Sequence, residues 1–454
     1  LGVSSLSFVS WVRKAKPHEP VLRAGKYEAT AGRFQRMERV LLATFKRQHM
    51  GRPTDERAQH AEGRRGNFCN QTGERLSDQV TEAELRVVEI APHRQSDVDD
   101  PVGIAPERYV YYPGTEPLGA DEIRIIACGT GMPDARRLQA SACFLVELGN
   151  GDKFVFDLGT GSMRNINSLM IPFEYLTKIF LTHLHTDHMG DIDALWAGGW
   201  TAGRPNGLQV WGPSGLHPEL GTKSAMEGFL KFVAWDKETR SFQITPEPGN
   251  VIVHEFDYKI ENQVVYDEDG VVVKSFPAIH TGDGPVSYTV EYEGMRVVFG
   301  GDTAPNKWFV KNAKNADLVI HEAFMVPGDF VEWYNQPPQL AWRACCAFHT
   351  SGQAFGKIMS TVKPGHAVAY HFLNEEATRY NLYEAIRETY QGPLSMATDN
   401  MVWNVTPDGV KERMAVITHE AWSVPGPTRQ GPPESGRRPV FSDFTNAGYW
   451  KASY

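Results

Sequence analysis

The apolar run Ile179-Phe180-Leu181 leads directly into Thr182-His183-Leu184-His185-Thr186-Asp187-His188, which packs three histidines and an aspartate into six positions. On an extended turn His183 and His185 point the same way and can grip one ion, because alternate side chains share a face. Asp187 and His188, at the start of a following helix, can hold a second ion close by. Imidazole with carboxylate suits zinc first, with manganese or iron as alternatives. Two ions about 3.5–4 Å apart also need an anionic bridge and further ligands. His280, Asp302 and His371 each end a strand-like run (VVVKSFPAIH, VVFGGD, AVAYHF), and Asp302 follows two glycines that permit close backbone approach. The pattern therefore predicts a dinuclear metal site with Asp302 as the bridging carboxylate.

The surrounding chain is consistent with a layered host for such a site. Gly-punctuated apolar runs of four to six residues (EIRIIACGTG, ACFLVELGNGDKFVFDLGTG, GLQVWGP, VIVHEFDY, GPVSYTVEYEGMRVVFGGD, ADLVIHEAF) predict buried strands, and Asn150-Gly151 predicts a hairpin turn. Helical segments over 191–200, 352–362 and 375–390 fall between them, which argues for α/β architecture. Of 454 residues 41% are hydrophobic and 22% charged, a balance that excludes chain-wide disorder, collagen-like repeats and coiled-coil rods. No apolar run approaches about 18 residues, which excludes a membrane-spanning helix. The five cysteines fit no disulfide framework or CxxC knuckle and read as free thiols.

Charge is unevenly spread. The net charge is −9, yet residues 1–50 carry ten Lys or Arg against three acids. Within that stretch Phe34, Met37, Leu41 and Phe45 recur at helical spacing beside Arg33, Arg36 and Arg39. The expectation is an amphipathic helix docking on the main domain or on a homodimer partner, with a membrane-surface or nucleic-acid arm as the competing reading. The expected organisation is an N-terminal extension over 1–104, partly helical or disordered, a main α/β domain over 105–424 that bears the metal site, and a Pro/Gly-rich extended tail over 425–454. Free thiols favour a cytoplasmic location, and a periplasmic or exported one would require a signal upstream of Leu1.

The motifs, as they stand here, are GTGMPDARRLQASACFLVE (129–147), FDLGTGS (156–162), THLHTDHMGD (182–191), VWGPSG (210–215), the His280 segment with Tyr288, GGDTAPN (300–306), HEAF (321–324), HTS (349–351) and AYHF (369–372). In this collinear set the chain resembles the metallo-β-lactamase superfamily, within it the ribonuclease Z and arylsulfatase-like branch. It is also similar, over a stretch including GGWTAGRPN and MVWNVT, to metallo-hydrolases associated with guanitoxin biosynthesis. The resemblance covers about residues 121–420. It implies a four-layer αββα sandwich bearing two Zn2+, with Mn2+ or Fe as substitutes. One ion would be held by His183, His185, His280 and Asp302, the other by Asp187, His188, Asp302 and His371. It further implies His349 as the acid acting on the leaving group, with Glu322 as its partner; Asp187, His349 and Glu322 are the candidate catalytic residues. His321 reads as structural, and His217, His254, His366 and His419 as packed or surface histidines.

The resulting expectation is a dinuclear zinc hydrolase in which a metal-bridging hydroxide attacks a phosphodiester, sulfate ester or carboxylic ester/lactone of a small molecule. β-Lactam hydrolysis ranks lower, since true metallo-β-lactamases lack the bridging carboxylate. A tRNA 3′-processing endonuclease is the other hydrolytic alternative. In ribonuclease Z a protruding flexible arm grips tRNA, whereas the corresponding region here, about 216–275, contains the acidic stretch EFDYKIENQVVYDEDG (Glu255, Asp257, Glu261, Asp267, Glu268 and Asp269 against Lys259), which opposes a nucleic-acid partner. An iron-dependent oxidoreductase is the remaining alternative; the diiron electron-transfer variant would replace histidine ligands with Glu, and His stands at each position here. Trp196, Trp200 and Trp211 are expected either to wall a small-substrate pocket or to be core.

Overall fold

A computed structural model describes residues 109–134, 136–425 and 438–450. The amphipathic helix expected over Phe34–Phe45 lies outside the described residues. From the first half of the chain come β1 (Val110–Tyr111), β2 (Ile123–Gly129), β3 (Cys143–Leu148), β4 (Lys153–Phe156), β5 (Lys178–Phe180), β6 (Leu208–Pro213) and β7 (Val251–Phe256). A second set follows: β8 (Gln263–Glu268), β9 (Val271–Pro277), β10 (Val286–Tyr292), β11 (Met295–Phe299), β12 (Leu318–Glu322), β13 (His366–Tyr370) and β14 (Leu394–Met396). The chain then returns through β15 (Met401–Thr406) and β16 (Gly409–Ala415) to the first sheet. That sheet runs β1-β16-β15-β2-β3-β4-β5-β6-β7, and the second runs β14-β13-β12-β11-β10-β9-β8.

Strand alternation explains why the sheets stack. In β2, Ile123, Ile125 and Ala127 face a core shared with Val297 and Phe299 of β11. The intervening Ile126 and Cys128 face a separate core with Ile166, Leu195 and Trp196. β11 behaves likewise, Val298 turning to a third core with Phe309, Phe355 and Leu382. Each sheet is thus apolar on both faces, which demands cover on both. Helices Ser162–Ser168 and Ile192–Thr201 cover one sheet; Lys307–Asn312, Gly352–Val362 and Glu376–Arg387 cover the other. The result is the αββα sandwich. Phe156 and Phe299 stack 4.2 Å apart between the sheets, and Phe144 meets Tyr370 edge-on at 5.1 Å.

Several local expectations need correction. Trp196 and Trp200 are fully buried, donating their indole N–H groups to Gly249 and Thr245 carbonyls, and Trp211 stacks on Phe180 at 4.8 Å. All three are core rather than pocket wall: backbone carbonyls satisfy the indole donors of Trp196 and Trp200, and Trp211 is buried in ring contact with Phe180 and His254. The region aligned with the ribonuclease Z arm forms two helices, Thr222–Phe232 and Ala234–Arg240, followed by β7 and β8. Its second half is therefore sheet. A helix over Asp443–Ala447 lies in the stretch read as extended tail, its N-terminus capped by the Ser442 hydroxyl. Among the described residues no helix is long and apolar enough to cross a membrane.

β4, β5 and β6 are parallel to one another, as are β11, β12 and β13. Their carboxyl ends deliver the chemistry-bearing loops, the usual place for a site in parallel sheets. The two ends are joined there by hydrogen bonds: Tyr288 Oη donates to the Leu181 carbonyl at 2.6 Å, and Val286 N to that of Thr182 at 2.9 Å. Gly301, with φ +63°, turns the chain after β11 so tightly that a Cβ there would lie 2.7 Å from Thr182 Cβ. Gly301→Ala combines an unfavourable backbone angle with that clash, and we predict a loss of about 2 kcal/mol or more in unfolding free energy. Unchanged stability in denaturant titration would contradict this close approach.

Candidate metal centre

Six histidines and three acids converge at these strand ends. His183, His185 and His280 offer nitrogens that all lie within 4.8 Å of one another, as do the ligand atoms of Asp187, His188, Asp302 and His371. A third overlapping group is Asp302, Glu322, His349 and His371. His183 and His185 flank Leu184 in the loop after β5, and Asp187 and His188 lie on the short helix Thr186–Met189. Gly159 makes room for that helix, since a Cβ there would meet the Asp187 carbonyl at 2.0 Å. All the residues singled out from the sequence are therefore brought together. His185 alone is exposed, at the rim.

Hydrogen bonding fixes which nitrogen each ring presents. His188 Nδ1 lies 2.7 Å from Asp157 Oδ2 and donates to it, so Nε2 faces inward. Thr182 Oγ1 gives its proton to Asp157 Oδ2 and accepts from His183 Nδ1 at 3.1 Å. His280 Nδ1 donates to the Phe348 carbonyl at 3.0 Å. Anchoring one ring nitrogen turns the other into the cluster, where a metal ligand must present it. His183 Nε2, His188 Nε2 and Asp302 Oδ1 are buried and make no hydrogen bond.

The spacings match shared coordination. Tetrahedral ligands about 2.0–2.1 Å from one ion stand roughly 3.3 Å apart. His280 Nε2 lies 3.2 Å from His185 Nδ1, and His371 Nε2 lies 3.2 Å from both Asp187 Oδ2 and Asp302 Oδ2. His188 Nε2 is 3.3 Å from Asp302 Oδ1. The donor set and the orphaned buried atoms both fit divalent ions.

Electrostatics agree. Burial works to raise the Asp187 carboxyl, but the His371 hydrogen bond and the His188 charge bring it down to about 2. Asp302 is likewise held well below the carboxylate range despite burial, by His371 and His188. Burial depresses His183 strongly and His280 to about 4, keeping their lone pairs free at neutral pH. His188 is opposite in sign: burial lowers it, but Asp302 and Asp157 outweigh burial and hold it protonated. A divalent ion there would take the place of that proton.

Two supporting residues escaped the sequence reading. Asp157, in FDLGTGS, accepts from Thr182 N at 2.8 Å as well as from Thr182 Oγ1 and His188. It does so from a left-handed backbone at φ +55°, and His371 is similar at φ +65°; such strain collects at functional sites. Asp399 accepts from Thr130 N and Oγ1, Ala140 N and Asn165 Nδ2 at 2.7–3.1 Å. The Thr130 carbonyl in turn receives His371 N at 2.9 Å, so Asp399 steadies His371 through the backbone. His321 is buried against Phe309, its Nδ1 donating to the Glu322 carbonyl. His366 and His254 pair with Ser395 and Gln209 away from the cluster. Asp157→Ala frees the His188 ring, and divalent-metal affinity should fall about 10–100-fold in chelator competition. Unaltered affinity would show that Asp157 does not orient the ring.

Residues 136–314 match the model of the metallo-beta-lactamase superfamily. Ribonuclease Z from Mycobacterium sp. (strain KMS) is 30% identical over 257 residues, spanning 56% of this chain and 84% of that protein. Among solved structures, the metallo-beta-lactamase fold protein YhfI from Bacillus subtilis overlays with a TM-score of 0.46 at 16% identity, over 63% of this chain and 99% of that one. The short form of human tRNase Z gives 0.44 at 19% identity, over 62% and 98%. By its relationship to the mycobacterial enzyme over most of that enzyme's length, and by the matching family model, the chain belongs to the metallo-beta-lactamase superfamily and is a metal-dependent hydrolase.

Proposed function

We propose that the chain holds two divalent ions, zinc foremost, and hydrolyses a phosphodiester, sulfate ester or carboxylic ester/lactone of a small substrate. The observation that carries this reading is the two-sided position of Asp302. Its Oδ1 is 3.3 Å from His188 Nε2, while its Oδ2 is 3.2 Å from His371 Nε2 and 3.9 Å from His280 Nε2. One carboxylate thus faces both ligand groups. His183, His185, His280 and Asp302 would hold one ion; Asp187, His188, His371 and Asp302 the other. Such a pair supplies Lewis acidity at the scissile group and an acidified water at neutral pH.

The chain's own residues supply the proton. His349 Nδ1 donates to Glu322 Oε2 at 2.7 Å, and Glu322 Oε1 is fixed by Thr303 N at 2.6 Å. This leaves His349 Nε2 for the leaving-group oxygen, with Glu322 orienting the ring and stabilising its imidazolium. Burial depresses the His349 imidazolium against the raising charges of Asp302 and Asp187, which makes it a stronger acid. Burial, together with the neighbouring Asp302 charge, also pushes the Glu322 carboxyl up. The acid form is lost as pH rises through the imidazolium pKa, so the rate should fall on the alkaline side.

The cavity over the ligands is about 340 Å³, and among the described residues no Lys or Arg lines it. That volume suits a small molecule, and the missing cations disfavour a polyanionic strand. The mycobacterial relatives named ribonuclease Z make RNA the competing substrate. A panel of bis-p-nitrophenyl phosphate, p-nitrophenyl sulfate, a lactone, nitrocefin and a tRNA precursor separates these readings. Turnover of one of the first three above the others is expected; preferred cleavage of nitrocefin or the tRNA precursor would reject the proposal. His349→Ala should lower kcat about 10²–10⁴-fold for poor leaving groups. It should have much less effect on p-nitrophenol esters, whose leaving group needs no proton, and none on metal content. Equal losses on both substrate types would remove His349 as the acid.

A further inference from the structure

We infer that the cavity beside the metal-ligand cluster is a receptor for a flat, uncharged apolar group of the substrate, formed by the insert between β12 and His349. The inference rests on the proposed hydrolase reading for what lies at the cavity floor. The insert comprises helices Pro327–Tyr334 and Pro338–Arg343 and the turn Ala344–Phe348. It contributes Phe330, Tyr334 and Phe348 to the cavity beside Phe324, while the loop after β2 adds Met132 and Pro133.

The rings form a continuous file. Tyr334 stacks on Phe330 at 4.7 Å, Phe330 meets Phe324 at 5.7 Å, and Phe324 stacks on the His349 imidazole at 4.2 Å with 15° between planes. An aromatic surface therefore runs from the insert to the residue placed as the acid. The insert is held at both ends of this wall. Tyr334 Oη donates to Asp134 in the loop after β2, and Asn381 Nδ2 of the helix Glu376–Arg387 donates to Asp329 Oδ1 at 2.8 Å. A wall fixed before binding costs little ordering when a ligand arrives.

Charge sharpens the class of ligand. Apart from the ligand cluster and His349, Asp134 is the charged residue among those lining the cavity. The nearby guanidinium of Arg343 lies over the Phe348 ring at 4.9 Å, and Arg136 pairs with Glu375. Among the described residues the lining itself offers no Lys or Arg to an anionic extension of the substrate, the Arg343 guanidinium being engaged over Phe348. An apolar ring would gain face-to-face contact and lose water.

The test is calorimetry on the full, metal-loaded chain with phenylphosphonate and methylphosphonate, two anions that differ only in the group facing the wall. Phenylphosphonate should bind roughly tenfold or more tightly. In Phe330→Ala/Tyr334→Ala the advantage should shrink to within about threefold, with methylphosphonate affinity and metal content unchanged. If that double variant does not fold, Phe330→Leu, which keeps apolar bulk and loses the ring face, carries the test with a smaller advantage expected. Equal binding of the two anions by the native chain would overturn the receptor and leave the hydrolase reading standing. Binding of neither anion to the metal-loaded chain would overturn the hydrolase reading and the receptor with it. Equal phosphonate binding alongside tight binding of single-stranded RNA would assign the cleft to nucleic acid instead.

Discussion

A buried carboxylate among imidazoles is the constraint on which this centre turns. Asp302 is 2% exposed, and Asp187, His183, His188 and His371 are buried around it. Removing two carboxylates from water costs several kcal/mol each unless positive charge compensates them. No Lys or Arg pairs with either one among the described residues; His188, held protonated by Asp302 and Asp157, and His371 are their partners. The imidazoles supply that compensation, holding both carboxyls below their ordinary range, and divalent cations would supply it in the same place. The orphaned nitrogens of His183 and His188 point to the same remedy.

The rest of the fold serves to hold that cluster in place. Neither sheet contains the site; it arises where the carboxyl ends of the parallel strands in both sheets meet. Tyr288 and Val286 tie those ends together across the sandwich. Asp157 and Asp399 lock the loops that carry His183, His188 and His371. Positive φ at Asp157 and His371 is tolerated because hydrogen bonds on both sides determine these conformations. Fixing ligand geometry in this way gives up local backbone energy and gains metal affinity and a pre-oriented His349.

What could be read in the sequence follows physical range. The H-x-H-x-D-H cluster was legible because four candidate ligands lie within one turn and the next helix start. His280, Asp302 and His371 were legible because each ends an apolar run, and strand ends in a layered α/β chain converge. The roles of Asp157 and Asp399 were hidden for different reasons. Asp157 looks like any turn residue after a strand, and Asp399 acts on Thr130 across 269 positions of chain. The tryptophans stayed undecided because indoles supply the same local signal whether they wall a pocket or fill a core; for Trp196 and Trp200 the Gly249 and Thr245 carbonyls decide it. Conversely, Phe330 and Tyr334 lie on a two-turn helix whose apolar residues resemble ordinary core packing, so the real aromatic wall left no distinctive trace.

The central claim is that one carboxylate organises two ions. Elemental analysis of natively purified protein beside Asp302→Ala tests it most directly. The account predicts two divalent ions per chain in the native protein and, in the variant, loss of the paired site with at most one ion retained. An Asp302→Ala protein that still carries two equivalents would contradict it.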